Sequence, residues 1–354
     1  MRVTATAADL SAALKHSVAA RTTPMPILQH ALLTTGDNVL HLETSDIEIY
    51  MRHTIPAQVD EPGSICLTDA LLRTIASGGG DVILRDSGKV SRGRSHFTVP
   101  ALAANEFPVP ESSQFEPLNV DPEALADAIR LVDYAYGDGD IRPYVRAVHI
   151  EPGRVWSTNG SQAGRAALAY QGPAIRVPGA QLKRLCSALV EGARVLGDVR
   201  NGVVAMLRVE TFSTQITVRC IDGPAPNIDT FIPHLGKRSV VRVNRRALMD
   251  AVRRTLPFLV TKNKAIPVIK ITQSAEGLAL LDKADTCAEF VAIEPQAQVD
   301  ALELGLDANF LLAALGAVSD DIVELYLHNS APALILPDAG DVAAIAHVIM
   351  PCRL

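Results

Sequence analysis

The sequence predicts an α+β protein made of three tandem homologous domains, each with two helices packed on antiparallel sheets. Three observations carry this. A helical segment recurs three times, a second helical segment recurs after each, and the runs between them switch from helical to strand periodicity. The chain has 354 residues, 48% of them hydrophobic, which is enough for more than one sizeable core.

The first recurring segment appears as ADLSAALKHSV, EALADAIRLVDY and RALMDAVRRTL. Leu10, Ala13, Leu14 and Lys15 correspond to Leu125, Ala128, Ile129 and Arg130, and to Leu248, Ala251, Val252 and Arg253. Apolar residues at i, i+3 and i+4 line one face of an amphipathic helix, with a small residue at the contact. Extended stretches precede the copies: RVTAT, PLNV and SVVRVN. The second segment appears as LTDALLRTIASGGG, VPGAQLKRLCSAL and LDANFLLAALGAV, with starts signalled at Thr68 or Asp69, Pro178 and Asp307. Equivalent positions lie roughly 110 to 130 residues apart, far beyond the period of a solenoid. Between the helices, NVLHLETSDIEIYMRHTIPA, AVHIEPGRVWSTNG, VVAMLRVETFSTQITVRCI, AIPVIKITQSAEGLALLDKAD and DIVELYLHNSAPALIL alternate apolar and polar residues between turn formers, as antiparallel strands do. Proline-rich stretches near 108–118 and 233–239 suggest domains at 1–115, 116–236 and 237–354.

Several function classes are disfavoured. No apolar run approaches the roughly eighteen residues of a membrane span, and MRVTATAADL lacks the apolar stretch of a signal peptide, so a cytoplasmic protein without a membrane role is expected. Five scattered cysteines without a C-x-x-C spacing suggest neither disulfides nor a zinc site. Asp138 and Asp140 have calcium-loop spacing, but Arg142 occupies the next ligand position. SGGGD lacks the Lys-Ser/Thr of a phosphate loop and reads as a helix terminator. No histidine pair has zinc-protease spacing and no G-x-S-x-G elbow is present. Neither a cofactor nor catalysis is expected. A net charge of −6 argues against gripping nucleic acid over the whole surface but allows a local basic face. Arg246 and Arg253 are seven apart and fall on nearly one helix face, while Lys15, Arg73, Arg130, Lys183 and Arg184 occupy the other helices. Basic helices inside an acidic protein suit loose, sequence-independent phosphate contact.

Seven features carry a family resemblance: MPILQHALL, TSDIEI, SHFTVPALAANEFP, DIRPYV, the Thr158-Asn159-Gly160 turn, IDGPAPNIDTFIP and the terminal VIMPCRL. In this order, on a threefold repeat, the whole chain resembles the bacterial DNA polymerase III β subunits, the sliding clamps. The resemblance implies a head-to-tail homodimeric ring around double-stranded DNA, with basic helices inside and sheets outside. It implies non-catalytic tethering of the DNA polymerase III α subunit, with the clamp loader and repair polymerases also docking through linear peptides. The peptide pocket would involve Val145, Thr158, Gly160, Pro226, Phe231, Ala333, Val348, Ile349, Met350, Pro351, Cys352 and Arg353. DNA contact would involve Arg21, Arg73, Arg142, Tyr144, Lys183, Arg246 and Arg253, and ring closure Phe97, Val99, Leu259 and Val260. Departures from the family pattern sit at Ser161-Gln162-Ala163, Pro143, Thr230, Phe231 and Cys352. They admit an alternative: a specialised accessory clamp with shifted partners or inhibitor resistance.

Overall fold

A computed structural model describes residues 1–19, 23–110, 114–233, 239–259, 266–274, 277–284, 286–294 and 302–354. The first third runs β1 (Arg2–Thr6), α1 (Ala7–Lys15), β2 (His30–Gly36), β3 (Val39–Ser45), β4 (Ile49–Glu61), β5 (Ser64–Thr68), α2 (Asp69–Ala76), β6 (Asp81–Arg85), β7 (Lys89–Arg92), β8 (Ser95–Thr98) and β9 (Ala101–Leu102). The second runs β10 (Glu116–Pro117), α3 (Pro122–Arg130), β11 (Ala147–Glu151), β12 (Arg154–Thr158), β13 (Gln162–Ala167), β14 (Ile175–Pro178), α4 (Leu182–Ala188), β15 (Arg194–Arg200), β16 (Val203–Glu210) and β17 (Thr214–Arg219). The third runs β18 (Ser239–Asn244), α5 (Arg245–Leu259), β19 (Val268–Gln273), β20 (Gly277–Leu281), β21 (Ala288–Ala292), β22 (Leu302–Asp307), α6 (Ala308–Ala317), β23 (Ile322–Leu327), β24 (Ala333–Pro337) and β25 (Ile345–Ile349). All three thirds have a strand leading into each of their two helices.

Local chemistry explains the helix starts. Thr6 caps α1 by accepting from the Asp9 amide at 3.1 Å, Asn244 accepts from the Ala247 amide at the start of α5 at 2.9 Å, and Asp307 accepts from the Asn309 amide of α6 at 2.8 Å. Each satisfies a donor that the helix itself leaves free. Pro178 leads into a 3-10 turn that becomes α4. The expected stop after α2 is built from Gly78 and Gly80 at positive φ. No described helix is long and apolar enough to cross a membrane.

The chain forms two compact units. Unit 1 comprises Met1–Glu123 and Lys183–Cys220, and unit 2 comprises Ala124–Leu182 and Ile221–Leu354. Unit 1 holds a large sheet in which β17 pairs antiparallel with β4 and β16 with β17. Unit 2 holds an eight-stranded sheet, β14-β11-β12-β13-β25-β24-β23-β18, and a four-stranded one, β21-β20-β19-β22. These units cut across the expected middle domain, 116–236. Its strands β15–β17 join the first third through the β17–β4 ladder, whereas β11–β14 join the last third through the β13–β25 ladder. Hydrogen-bonded sheets cross the repeat boundaries, so the repeat and the compact units divide the chain differently.

The helices pack on sheet faces through the residues that predicted them. Leu10, Leu14, Leu72 and Ile75 enter the unit 1 core with Leu33, Leu40, Leu42 and Leu84. Leu248, Val252, Leu311 and Leu315 enter the unit 2 core with Ile269, Leu304 and Leu325. Fully burying each such side chain contributes about 1.5–3 kcal/mol.

Candidate functional site

In unit 2, strand alternation sorts the expected pocket residues onto two faces. Register pairs Thr158 with Ala163, Ala163 with Val348, and Val348 with Leu334. This row, with Trp156 and Ala346, is covered by Ala225, Ile228 and Ile232 of the 225–232 segment. Ala333 and Ile349 belong to the opposite face, in the core beneath α5 and α6. The β24 residue that shares a face with Thr158 and Val348 is therefore Leu334, one residue along from Ala333, because side chains in a strand alternate sides.

Two ion pairs hold the covering segment down. Asp229 accepts from Arg154 at 2.6 Å and from Arg165 at 3.0 Å. Arg165 also donates to the Ala343 carbonyl at 2.7 Å, just before β25. Pro226 is half-buried, and Phe231 is 38% exposed at the rim. Around the turn before β13, Thr158 Oγ1 donates to the Gln162 carbonyl at 2.6 Å and accepts from the Gly160 amide at 3.0 Å. Gly160 has φ +91, and a Cβ there would stand 3.3 Å from the Arg142 guanidinium; a side chain would be strained and crowded. Val145 is fully buried, with its carbonyl accepting from the Gly137 amide at 2.8 Å.

The tail is tied down at successive points. The Met350 amide donates to the Ser161 carbonyl and the Cys352 amide to the Gly305 carbonyl, both at 2.8 Å. The Arg353 carbonyl accepts from Lys283 at 3.0 Å. Val348 is buried, Met350 is 41% exposed, Pro351 and Cys352 are half-buried and Arg353 is exposed. Burial raises the Cys352 thiol pKa, with Asp307 adding to the effect, which disfavours a reactive thiolate.

The sequence reading missed Asp229, Arg154, Arg165, and a His149–Trp156 stack with ring centroids 3.8 Å apart. Both rings are fully buried, and His149 Nε2 donates to the Tyr144 carbonyl at 2.8 Å. Burial pushes the His149 pKa down to about 4. The pairing of His149 with Trp156 follows from two adjacent alternating runs. Asp229, in contrast, is 75 residues from Arg154, so no local signal announced that pair.

The expected DNA-contact residues occupy different electrostatic settings. Arg73 pairs with Asp69 at 2.6 Å, Arg246 with Asp321 at 3.6 Å, and Arg253 with Asp250 at 3.0 Å. Arg142 makes a forked contact with Asp140 at 3.0 and 2.8 Å and lies 5.8 Å from the Tyr144 ring centre. Lys183 is exposed. Arg245 instead turns inward, donating to the Asp320 carbonyl at 2.7 Å. Arg21 and Val260 lie outside the described residues.

Of the expected subunit contacts, Phe97 lies on the edge strand β8 and Leu259 on α5, which packs against the edge strand β21. Strand β8 ends the unit 1 sheet, and β21 ends the four-stranded sheet of unit 2. Beside β8, Leu71, Ile75, Phe97 and Val99 line a largely apolar groove of about 210 Å³. Phe97 is 38% exposed, while Val99 is buried. Leu259 is in the unit 2 core, so the apolar surface there is offered by its exposed neighbour Phe258 and by Phe290 on β21.

With this geometry in view, relatives are informative. Residues 4–111 match the family described as DNA polymerase III beta subunit, N-terminal domain. The Beta sliding clamp of Pseudomonas putida is 26% identical, with 95% of each chain covered. That of Caulobacter vibrioides is 25% identical over the whole of both chains. A crystal structure of the DNA polymerase sliding clamp from Pseudomonas aeruginosa superposes over 100% of both chains with a TM-score of 0.85 at 25% identity. The Caulobacter crescentus beta sliding clamp shares the fold with a TM-score of 0.89. This chain is thus similar to the bacterial β sliding clamps along its full length, in the family matched by its N-terminal residues and in fold.

Proposed function

We propose that this chain is a DNA sliding clamp that encircles duplex DNA and tethers DNA polymerase III for processive replication. The observation that carries the reading is likeness to sliding clamps over the whole chain, together with paired helices in all three thirds. Three tandem clamp domains, at 1–115, 116–236 and 237–354, would form half of a head-to-tail ring. Its subunits would meet where β8 of one protomer faces β21 of the next, with Phe97 near Phe258 and Phe290. Such a heterologous contact must close after a fixed number of copies.

The role is binding. Exposed cations on the helices, including Lys183, Arg246 and Arg253, would meet phosphates without reading bases. Arg73, Arg142 and Tyr144 would contribute at the margins. Partner peptides would lodge against the Ala163, Val348 and Leu334 row, between the 225–232 segment and the tail. A polymerase held in this way rebinds instead of diffusing away, because tethering raises its effective concentration. The DNA polymerase III α subunit, the clamp loader and repair polymerases are the expected partners. A specialised accessory clamp is the second reading, favoured by the altered turn at Ser161-Gln162-Ala163 and by Phe231 at the pocket rim.

The decisive test is topological. After loading onto nicked circular duplex, the protein is expected to stay bound through high-salt gel filtration and to be released when the circle is linearised. Equal retention on linear and circular DNA would rule out encirclement.

A further inference from the structure

The helices differ in a way that net charge conceals: most of their arginines are already answered by a carboxylate. Arg130 on α3 pairs with Asp127 at 2.5 Å. On α5, Arg246 pairs with Asp321, Arg253 with Asp250, and Arg254 makes a forked contact with Glu289 at 2.9 and 2.8 Å. Arg73 on α2 pairs with Asp69. Helix α6, ANFLLAALGA, carries no charge.

Three helix cations stand apart. Lys15 on α1 and Lys183 and Arg184 on α4 are exposed, and none of them has an ion pair with another described residue. The sequence explains why. Helix α4, LKRLCSA, contains no acid, and Asp9, the acid of α1, lies six positions before Lys15 and accepts from the Thr6 hydroxyl at 2.7 Å.

We infer that the grip on DNA is uneven: Lys15, Lys183 and Arg184 make the principal phosphate contacts, while Arg130, Arg246 and Arg253 are held in reserve by their own carboxylates. The inference rests on the sliding clamp reading and assigns its charges unequal parts. A free cation neutralises a phosphate and releases a condensed counterion outright. A paired arginine brings no net charge, and its carboxylate repels the phosphate that approaches. Exposed pairs of this kind are individually weak, so their arginines can be recruited, but only at the cost of leaving an acid beside the DNA. This arrangement suits sliding, since few strong contacts have to be broken at each step.

The test uses the full-length protein, a short fluorescein-labelled duplex, and anisotropy across a salt series. Each lost phosphate contact flattens the slope of log K against log salt by about 0.9. The variant Lys15→Gln/Lys183→Gln/Arg184→Gln is expected to flatten it by about 3. Arg130→Gln/Arg246→Gln/Arg253→Gln is expected to flatten it by less than half as much. Equal losses, or a larger loss from the second set, would overturn the inference.

An opposite-direction variant guards against misfolding as the explanation. Asp127→Asn/Asp250→Asn frees Arg130 and Arg253 and is expected to tighten binding several-fold and steepen the slope. The charge-matched control, Asp37→Asn/Glu303→Gln, changes exposed acids away from the helices and is expected to tighten it far less. No difference between the two would also overturn the inference. Since anisotropy on a short duplex does not require a closed ring, retention on circular DNA tests the clamp reading separately.

Discussion

Units 1 and 2 build one backbone device and finish it with opposite chemistry. In unit 2, Asn159 Oδ1 accepts from the Ser161 and Gln162 amides, both at 2.9 Å, and Thr158 accepts from Gly160. In unit 1, Asp46 Oδ1 accepts from the Glu48 and Ile49 amides at 3.0 and 2.9 Å, and Ser45 accepts from Ile47 at 2.9 Å. Gly160 at φ +91 is matched by Ile47 at φ +80. From each turn the same ladder runs on: β13 to β25 to β24 in unit 2, and β4 to β17 to β16 in unit 1.

The shared register makes the positions comparable one by one. Trp156, Ala163, Leu334, Ala346 and Val348 correspond to Glu43, Tyr50, Arg208, Gln215 and Thr217. The unit 2 row is apolar and covered by Ile228. The unit 1 row is polar and lines a cavity of about 410 Å³ with Phe107, Val109 and Pro110. Because the first row is already buried, an apolar anchor gains its area at the row's rim, where Phe231 and Met350 are exposed, at about 25 cal/mol per Å² buried. On the second it would strip water from Arg52, Arg208 and Glu43, costing about 1–3 kcal/mol for each polar group left unpaired. Backbone geometry thus supplies two candidate sites, and side-chain chemistry leaves one suited to apolar peptides.

The harshest way to break this comparison is to remove the wall that only unit 2 has. Deleting Met350–Leu354 takes away the exposed Met350 and the bonds to Ser161, Gly305 and Lys283. Partner-peptide affinity measured by fluorescence titration is expected to fall by about 100-fold or more, roughly 3 kcal/mol. The dimer is expected to persist in sedimentation. Unchanged affinity would remove the tail from the pocket.

The next effect comes from acid. His149 stacks on Trp156 where unit 1 sets Leu32 opposite Glu43, and burial lowers its pKa to about 4. His347, fully buried on β25, is likewise pushed down to about 4 by burial. Unfolded histidine titrates near 6.5. Between these values the unfolded chain binds protons that the folded chain refuses, so stability is intact above about pH 6.5, falls as pH drops, and levels off below about 4. At pH 5 each histidine costs on the order of 2 kcal/mol. Trp156 is the single tryptophan, so its fluorescence during urea unfolding reports on unit 2. His149→Phe is expected to shrink the difference in stability between pH 7.5 and pH 5 by about 2 kcal/mol; an unchanged difference would mean that His149 is not the group responsible.

Much of this was legible beforehand, for reasons visible in particular residues. Leu10, Ala13 and Leu14 announce α1 by spacing, and the same pattern announces α3 and α5. The Asp127–Arg130 and Asp250–Arg253 pairs are also local, three residues apart on a helix. Resemblance named Thr158, Val348, Ala333 and Ile349 together, whereas Ala333 and Ile349 lie on the other face of the sheet from Val348 and Leu334. A one-residue slip moves a strand residue to the other face, and only the β24–β25 register resolves it. Resemblance likewise named Leu259 for ring closure, and only the packing of α5 shows that its side chain lies in the unit 2 core. The two compact units could not be read from the repeat, since the β4–β17 and β13–β25 ladders join distant segments.

The smallest and most selective test concerns one arginine that both units share. Arg165 and Arg52 occupy equivalent places, opposite Trp156 and Glu43. Arg165 is answered from the covering segment by Asp229, whereas Arg52 lies 3.6 Å from Glu43 within its own sheet. Asp229 also engages Arg154, so Asp229→Ala frees the segment that carries Pro226 and Phe231 from both anchors. With Ala225, Ile228 and Ile232 no longer held over the apolar row, part of the peptide's binding energy must go into ordering the segment. Peptide affinity is expected to fall about tenfold, near 1.4 kcal/mol, and hydrogen exchange at 225–232 to quicken. Glu43→Ala removes the equivalent partner in unit 1 and is expected to leave peptide affinity within about twofold of the parent. A comparable loss from both variants would mean that the polar row also takes part in docking, and the division of labour between the two units would fail.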